Sequence, residues 1–196
     1  MAWIGLTLLP LTLKPVQGGG IAFYKSEYLV LDRTPTSPRL IRITPGFDSG
    51  VVFNRITLPG LAVTDIIELP PNGDYYGIGA SSGSIVVLNK KLRYCNDGEI
   101  AIGELLTIDI ANGNVLNVEE LRARKRVILT GGLANVESNW FFLAKDGSNT
   151  YFYETTTNNA IIQRSQFTPA IADRSALGYD TRNRTVYIIN LSLIHI

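Results

Sequence analysis

The chain has 196 residues, of which 45% are hydrophobic and 18% are charged, and its formal net charge is +1. This length and this hydrophobic share are ordinary for a globular domain with one buried core. The near-zero net charge argues against a dedicated nucleic-acid binder, because such proteins carry a surplus of basic residues. The single cysteine, Cys95, excludes a disulfide within the chain and indicates no cellular compartment.

Residues 1–20 are apolar but are interrupted by Pro10 and Lys14. A membrane-spanning helix needs about 20 uninterrupted apolar residues, so we expect no membrane span here. Two interpretations stay open. Ala2–Leu13 has the length of the apolar core of a secretory signal, which would place the protein outside the cytoplasm, although no Lys or Arg precedes it. Alternatively, the segment is a strand and a linker that belong to a preceding repeat unit.

Residues 21–57 predict a first unit of four short strands. Tyr, Thr, Val and Ile are frequent in its apolar runs, and these residue types favour strands. The connections contain Pro35, Pro38 and the pair Pro45-Gly46, which are strong signals for turns. The predicted strands are Ile21–Tyr24, Tyr28–Arg33, Leu40–Thr44 and Val51–Thr57.

The second unit, from Asp65 to Leu121, has the clearest turn chemistry. The run Pro70-Pro71-Asn72-Gly73 favours a tight turn, because proline fixes φ and glycine accepts a positive φ. Asn112-Gly113 lies between two apolar runs and predicts a hairpin with a two-residue type I′ loop. The predicted strands are Asp65–Leu69, Tyr75–Ala80, Leu105–Ile110 and Val115–Val118.

An insertion is predicted inside the second unit. The second and third predicted strands start 12 residues apart in the first unit, at 28 and 40, but 30 residues apart here, at 75 and 105. Compared with the other units, the second unit therefore has about nineteen extra residues between Ala80 and Leu105. We interpret Ser84–Asn89 as a lengthened hairpin arm and residues 90–103 as a polar loop at the edge of the unit.

A third unit and part of a fourth follow. Gly131-Gly132 is expected to end the first strand of the third unit, and Asp146-Gly147-Ser148-Asn149 forms one of its turns. The predicted strands of the third unit are Arg126–Leu129, Trp140–Lys145, Thr150–Glu154 and Ala160–Arg164, and those of the fourth are Ala176–Asp180 and Thr185–Asn190.

The predicted strands recur at a nearly constant interval. The second strands, at 28, 75, 140 and 185, are 47, 65 and 45 residues apart, and removal of the insertion gives a period of about 46. Four-stranded antiparallel units at this interval resemble the β-propeller superfamily, in particular lactonase-like and NHL/YVTN-like repeats, over residues 21–190. The resemblance lies in the period and the hairpin turns. It implies an all-β fold, a partial β-propeller with about three complete four-stranded antiparallel blades and part of a fourth.

The final residues, Leu191–Ile196, resemble the translated read-through of an adapter used in sequencing libraries. We therefore expect residues 191–196 to be an artefact and the fourth unit to lack its last two strands. Propellers close a ring of about four to eight blades. Three units and half of another are thus not expected to close a normal ring, and the isolated chain would expose two apolar blade faces and tend to aggregate.

Motifs for catalysis and for dinucleotide binding are present only in part. Gly79–Gly83 matches the nucleophile pattern G-x-S-x-G, which requires a strand-to-helix turn and a histidine partner. A strand-like run follows instead, and the single histidine, His195, lies in the suspect tail, so we interpret the match as a hairpin turn. Gly77, Gly79 and Gly83 have a spacing one residue too long for a dinucleotide fingerprint. We therefore predict neither catalytic nor cofactor-binding residues.

Acidic residues near strand ends supply the only candidate metal ligands. Calcium takes oxygen ligands of this kind, and propeller hydrolases that resemble lactonases or phytase-like esterases gather them around the central channel. Their spacing does not indicate which of them would bind one metal ion together, and acids at turns are mostly turn formers. The sequence therefore identifies no metal site, for calcium or for another ion. The residues are Asp32, Asp65, Glu68, Asp74, Asp109, Asp146, Asp173 and Asp180.

Four further features have plain structural interpretations. The basic run Leu121–Arg126 follows two glutamates and is interpreted as a solvated loop, not as a nucleic-acid site. Trp140 is interpreted as blade core. Asn183 begins a glycosylation sequon, which matters only in a secreted eukaryotic protein, and Cys95 lies in a polar segment with no argument for reactivity.

The sequence leaves two classes of function open. The first is a binding or scaffold module with a protein or carbohydrate ligand, in a secreted or otherwise extracytoplasmic protein. The second is an extracytoplasmic metal-dependent hydrolase of the lactonase or phytase-like kind. We favour the first because no catalytic constellation is visible, and a structural protein of a phage or virion is a third, minor interpretation. A propeller fold does not by itself indicate an activity, since proteins with this fold have many different functions.

Overall fold

The computed structural model describes residues 11–12, 18–45, 51–53, 56–58, 61–81, 83–155, 160–167, 173, 175–180 and 182–189. Every regular element in this part of the chain is a β-strand. Most of the strands form four antiparallel sheets of four, four, four and two strands. The fold is therefore all-β, a partial propeller of four-stranded antiparallel blades, as the sequence predicts.

There are 17 strands in the described residues. In chain order they are β1 (Leu11–Thr12), β2 (Gly18–Tyr24), β3 (Glu27–Asp32), β4 (Arg39–Pro45), β5 (Val51–Phe53), β6 (Ile56–Leu58), β7 (Leu61–Glu68), β8 (Tyr75–Ala80), β9 (Ile85–Tyr94), β10 (Ile100–Ile108), β11 (Val115–Ala123), β12 (Ile128–Val136), β13 (Asn139–Asp146), β14 (Asn149–Thr155), β15 (Ile161–Gln166), β16 (Ala176–Asp180) and β17 (Thr185–Ile189).

The blades follow one another along the chain. Blade 1 has the strand order β2-β3-β4-β7, blade 2 consists of β8 to β11, blade 3 of β12 to β15, and blade 4 of β16 and β17. All neighbouring strands within a blade are antiparallel. A small additional sheet interrupts blade 1, because β5 and β6 form a hairpin between β4 and β7, and β1 pairs with β5 in parallel.

The first strand of each blade lies at the inner edge of its sheet. Strand β8 contacts β2 on one side and β12 on the other, while β16 contacts both β12 and β2. The four inner strands β2, β8, β12 and β16 therefore surround a common axis on all sides. The contact between β16 and β2 was not expected from the sequence, since it brings the first and the last blade together at the axis.

Glycines allow the inner strands to approach one another closely. A Cβ atom added at Gly77 would lie 2.6 Å from the carbonyl carbon of Gly132, in the inner strand of blade 3. A Cβ atom added at Gly132, which has a φ of +63°, would lie 2.4 Å from Cγ of Leu177 in blade 4. Side chains at these two positions would force neighbouring blades apart, because packed interiors hold no spare volume.

Apolar clusters fill the spaces between the blades. Between blades 1 and 2, Leu29 and Leu31 pack with Ile78 and Val87, and all four are at most 1% exposed. Successive residues of a strand point to opposite faces, so the first two belong to one face of β3. The burial of both faces of a middle blade explains the continuous buried run at the start of β9, where all of Ile85–Leu88 are buried.

The cluster between blades 2 and 3 is rich in aromatic residues. Phe142 is 0% exposed, and its ring stacks on that of Tyr153 with 5.8 Å between centroids and 10° between planes. A third cluster joins blades 3 and 4 through Ala134, Leu143 and Leu177. Burial of apolar side chains between sheets is thus the main source of stability of the blade arrangement.

The outer face of blade 1, which points away from blade 2, is partly uncovered. Ile21, Phe23 and Tyr28 are 42%, 59% and 36% exposed, whereas Ala22 and Tyr24 on the opposite face are buried. Tyr187 of blade 4 is 53% exposed. These side chains expose apolar surface, while the predicted exposure of two whole blade faces and the predicted aggregation stay predictions.

The boundaries of the first two units differ from the prediction. Tyr75–Ala80, predicted as a second strand, is the innermost first strand of blade 2, and the run Asp65–Leu69 belongs mostly to β7, the outermost strand of blade 1. Val51–Thr57 was predicted as the fourth strand of the first unit, but β5 and β6 lie in the small additional sheet. The prediction failed because this hairpin has the composition of a strand and precedes the true fourth strand.

The predicted insertion is therefore wrong, and so is the uniform period. Ile85–Tyr94 is the ordinary second strand of blade 2. The second strands β3, β9, β13 and β17 start at residues 27, 85, 139 and 185, which gives intervals of 58, 54 and 46 residues. The longer first intervals arise from the β5–β6 hairpin and from the extended β9–β10 arm, which reaches as far as the pairing of Tyr94 with Ile100.

The hairpin predicted at Asn112-Gly113 is present, but its loop is not a two-residue type I′ turn. Residues 109–114 separate β10 from β11, and the amide of Gly113 donates to the carbonyl of Asp109 over 2.8 Å. Only Gly113 of the pair has a positive φ, at +78°. The Asp109 side chain accepts a hydrogen bond from the amide of Ala111 at 2.9 Å, which stabilises the longer turn.

We expect the protein to lose stability in alkaline solution because burial raises the pKa of two of its tyrosines. Burial raises the pKa of the Tyr75 hydroxyl from 10.0 to about 12 and, together with the nearby Asp146 and Tyr151, raises the pKa of Tyr153 to about 12. These two tyrosines ionise at about pH 10 in the unfolded chain and near pH 12 in the folded one, so their contribution to the free energy of unfolding is constant below pH 10 and falls between these values.

Thermal unfolding followed by circular dichroism between about pH 9 and pH 11.5 measures this decline. The double variant Tyr75→Phe/Tyr153→Phe is expected to show a shallower decline than the parent. It also starts from a lower melting temperature, since Tyr75 donates a 2.8 Å hydrogen bond to the carbonyl of Pro70. The control is Tyr94→Phe, because Tyr94 is 66% exposed. An equally steep decline in the double variant would contradict the assignment.

Candidate functional site

A depression at the propeller axis receives residues from all four blades. Its lining comprises residues 21–23 of β2, 78–80 of β8, 133–135 of β12 and 177–179 of β16, together with Tyr28. Its volume is about 330 Å³. We call it the axial pocket. Each inner strand contributes the same short stretch, so the pocket is a direct consequence of the blade arrangement.

The walls of the axial pocket are mostly apolar. Polar groups come from Asn135 and from the phenols of Tyr28 and Tyr179. Phe23 and Tyr28 form a tilted ring pair with 5.1 Å between centroids at its blade 1 side. On the blade 4 side, a Cβ atom added at Gly178 would meet no atom within 4 Å, so the open space of the pocket reaches the backbone there.

A second, polar cavity of about 320 Å³ lies between blades 2 and 3. We call it the polar cleft. Its polar lining residues are Ser81, Ser84, Thr107, Glu119, Asn135, Glu137 and Ser138, and Val86, Leu105 and Trp140 complete it. Asn135 lines both cavities, so the polar cleft is next to the axial pocket.

Turns between the first and second strands of blades 2 and 3 build the polar cleft. In blade 2, the amide of Ser81 donates to the carbonyl of Ser84 at 2.9 Å, and the two hydroxyl oxygens also lie 2.9 Å apart. In blade 3, Glu137 adopts a left-handed φ of 59° in the two-residue turn that joins β12 to β13. The side-chain amide of Asn135 donates to the carbonyl of Asn139 at 3.3 Å, across the same turn.

Trp140 is held firmly at the edge of the polar cleft. Its backbone amide donates to the Thr155 hydroxyl at 2.9 Å, and its indole packs against the cluster between blades 2 and 3. A Cβ atom added at Gly79 would lie 2.7 Å from Cζ3 of the indole, so the glycine leaves room for the ring. Trp140 is therefore part of the core, as predicted, and also a wall of the cleft, which the sequence alone did not indicate.

The G-x-S-x-G match lies at a strand–turn–strand connection. Ser81 follows β8, and the next element is β9, with no helix between them. Ser82 and His195 lie outside the described residues. Gly77 and Gly79 are internal to β8, and Gly83 is in the turn. The glycines at the axis serve close packing of strands, since the described chain has no helix N-terminus beside them to receive a pyrophosphate.

Asp32, one of the predicted candidate metal ligands, is 0% exposed and engaged with its own blade. Its carboxylate accepts hydrogen bonds from the Thr34 hydroxyl at 2.7 Å and from Nε of Arg39 at 2.9 Å. A buried carboxylate needs such partners, because desolvation of an unpaired charge costs several kcal/mol. Asp32 therefore has a structural role at the edge of blade 1.

Most of the other predicted acids have separate local partners. Glu68 accepts from the Ser37 hydroxyl at 3.0 Å, and Asp180 accepts from the amide of Arg182 at 2.8 Å, which lowers the pKa of its carboxyl. The remaining pairs are Asp65 with Arg42, Asp109 with the Ala111 amide, Asp146 with Lys125, and Asp173 with Lys145, and the backbone amide of Asp74 donates to Asn89. The structure does not bring these acids together at the axis.

The basic run Leu121–Arg126 is at the end of β11 and in the following loop, and acids pair with two of its cations. Arg122 contacts Asp97, Glu99 and Glu120, and its hydrogen bond with Glu120 raises the pKa of the guanidinium. Lys125 pairs with Asp146 of blade 3. These pairs agree with the interpretation of a solvated, charge-balanced connection between blades.

Cys95 and the sequon residue Asn183 both occupy turns. Cys95 is half-buried at the tip of the β9–β10 arm, where its amide donates to the carbonyl of Glu99 at 2.9 Å. Asn183 is exposed in the turn between β16 and β17, and its side chain donates to Asp180 at 2.8 Å. Neither residue lines the axial pocket or the polar cleft.

Comparison with models of protein families finds no match, and comparison with curated proteins finds none. Within the ranges described, no helix is long and apolar enough to cross a membrane. The same ranges contain no group of three or more His, Cys, Asp or Glu side chains placed to hold a metal ion. Function is therefore inferred from the fold and from the two cavities.

Proposed function

We propose that the chain is a binding module of β-propeller type and that its ligand enters the axial pocket. The observation that carries the proposal is the convergence of all four inner strands on one cavity of about 330 Å³. Small-molecule sites are typically concave, mostly apolar and about 300–1,000 Å³ in volume, with a few polar groups that fix orientation. The axial pocket has these properties, with Asn135 and two tyrosines as its polar groups.

The shape of the site favours a ligand with an apolar part. Phe23, at 59% exposed, and its ring partner Tyr28 offer aromatic surface that water covers in the free protein. Removal of such surface from water is favourable by about 25 cal/mol per Å². Asn135 joins the pocket to the polar cleft, so a polar extension of the same ligand has an adjacent place to bind.

A binding module is better supported than the alternative, a metal-dependent hydrolase of the lactonase or phytase-like kind. Seven of the eight predicted acids use their carboxylates in hydrogen bonds or ion pairs at separate places. Calcium-dependent thermal stabilisation of the protein distinguishes the two, because a resident cation would raise the melting temperature by mass action. The kinship with lactonase-like and NHL/YVTN-like propellers remains part of the proposal.

Filling the axial pocket is expected to weaken ligand binding. Gly178→Leu places a side chain where an added Cβ meets no atom within 4 Å, so the change fills the cavity without a clash. Indole, p-cresol and 2-naphthol serve as apolar probes, with binding followed by NMR shifts of backbone amides. We expect shifts at Ala134 and Gly178 in the parent protein and binding weakened by at least about tenfold in the variant.

Gly18→Leu is the matched control, because Gly18 also lies on an inner strand and an added Cβ there meets no atom within 4 Å. It is not part of the axial pocket, so probe binding should be unchanged. Equal weakening in both variants, or no shift from any probe in the parent protein, would contradict the proposed site.

A further inference from the structure

The polar cleft combines hydroxyl-bearing side chains with an aromatic wall. Four hydroxyl-bearing residues, Ser81, Ser84, Thr107 and Ser138, line it together with the amide of Asn135. Hydroxyl groups both donate and accept hydrogen bonds, and an amide does each with a different atom. Trp140 adds an aromatic wall. Such a lining matches a ligand that carries many hydroxyl groups and also presents an apolar face.

A pyranose ring is a ligand of this kind. Its hydroxyl groups point outward around the ring, where they donate and accept, while its axial C–H groups form a patch that packs on an aromatic ring. Trp140 is suited to this contact, because Thr155 holds its backbone and Gly79 gives space to its indole. An indole that is already fixed loses little side-chain entropy when a ligand packs against it.

The charge of the lining argues against an anionic ligand. Glu119 and Glu137 are the ionisable residues of the cleft, and none of its lining residues is Lys or Arg. Phosphates and carboxylates are recognised through Arg, Lys or helix N-termini, which this lining lacks. Carboxylates do accept hydrogen bonds from sugar hydroxyls, and charge-assisted bonds of this type are about twice as strong as neutral ones.

We propose that the polar cleft between blades 2 and 3 binds a neutral pyranose, with Trp140 as the packing surface and Glu137, Ser138 and Asn135 as hydrogen-bonding partners. This inference names the ligand class for the proposed binding module and rests on that proposal. Since Asn135 lines both cavities, an apolar group attached to the sugar would reach the axial pocket.

The test is a titration of the full chain with methyl α-D-glucopyranoside, methyl α-D-mannopyranoside, methyl β-D-galactopyranoside and N-acetylglucosamine, each followed by NMR. We expect at least one of them to shift the indole N–H signal of Trp140 and the amides of Ser138 and Asn135, with a dissociation constant in about the millimolar range. Glu137→Gln and Ser138→Ala are each expected to weaken that binding by about tenfold, because the first removes the charge that strengthens a hydrogen bond and the second removes a hydrogen bond.

Ser148→Ala is the matched control, because Ser148 is exposed in the turn between β13 and β14 and is not part of the cleft. Glu137 and Ser138 are themselves exposed, so their variants are expected to fold, whereas Trp140→Leu also removes core packing. Two outcomes would overturn the inference: no neutral glycoside binds, or the shifts map outside the cleft. Loss of probe binding in Gly178→Leu would in those cases still support the axial pocket, so the two proposals fail separately.

Discussion

Replacement of Gly77 by valine is expected to destabilise the protein by at least about 3 kcal/mol. A Cβ atom at this position would lie 2.6 Å from the carbonyl carbon of Gly132 and 2.8 Å from the amide nitrogen of Leu133. Both are backbone atoms of the inner strand of blade 3, which cannot rotate away as a side chain can. Relief therefore requires that blades 2 and 3 separate, and the separation exposes the apolar cluster between them.

Urea unfolding followed by circular dichroism measures this loss as a lower midpoint at similar slope. Gly178→Val is the matched control, because it makes the same change on another inner strand where an added Cβ meets no atom within 4 Å. Its stability should remain within about 1 kcal/mol of the parent. Equal stability of the Gly77 and Gly178 variants would mean that β8 and β12 are not in contact.

Phe142→Ala is expected to cost about 3–5 kcal/mol. Phe142 is 0% exposed in the cluster between blades 2 and 3, and its ring stacks on Tyr153 at 5.8 Å between centroids. Truncation removes the transfer free energy of the ring and leaves a cavity, since strands on both sides prevent collapse. Chemical unfolding of the variant and the parent under identical conditions gives the difference in free energy.

Phe23→Ala is the control for that measurement, because it deletes the same side chain from a site that is 59% exposed. Its cost should be below about 1.5 kcal/mol, mainly the ring contact with Tyr28. A similar loss in the two variants would contradict the placement of Phe142 between two packed blades.

The strand composition of the fold could be predicted, but the assignment of strands to blades could not. Trp140–Lys145, Thr150–Glu154 and Thr185–Ile189 lie on strands as expected, because turn residues bound each run clearly. Ser84–Asn89 is predicted as a lengthened hairpin arm and residues 90–103 as a polar loop, but Ile85–Tyr94 is the ordinary second strand of blade 2. Alternation of apolar and polar residues is lost where both faces of a sheet are covered, so the pattern does not show which blade a strand joins.

Glycines within apolar runs mark the inner strand of each blade. Gly18–Gly20, Gly77 with Gly79, Gly131-Gly132 and Gly178 each lie within a first strand. The sequence predicts that Gly131-Gly132 ends a strand, but β12 continues through it to Val136. A glycine within an apolar strand often marks a close approach of another backbone, as at Gly77, whereas an added Cβ at Gly178 meets no atom within 4 Å.

The two cavities could not be predicted because their residues converge only after folding. The axial pocket takes its walls from four strands that are far apart in the sequence. Glu137 and Ser138 form a two-residue turn that no sequence motif marks. Trp140 belongs to an aromatic run, which predicts a core position and does not indicate a cavity wall. The candidate acids, in contrast, could be named from the sequence, but in the structure they have separate local partners.

Nuclear Overhauser effects between methyl groups and glycine protons test the central claim, that four inner strands surround one axis. Three pairs report on successive blade interfaces. Between blades 1 and 2, a Cβ added at Gly20 would lie 3.3 Å from Cγ2 of Ile78. Between blades 2 and 3, one at Gly103 would lie 2.5 Å from Cδ1 of Leu129, and between blades 3 and 4, one at Gly132 would lie 3.0 Å from Cδ1 of Leu177. In a sample with labelled Ile and Leu methyl groups, all three cross-peaks should appear together. Their absence from a folded protein, with cross-peaks that instead join the sheets face to face as two layers, would contradict the propeller.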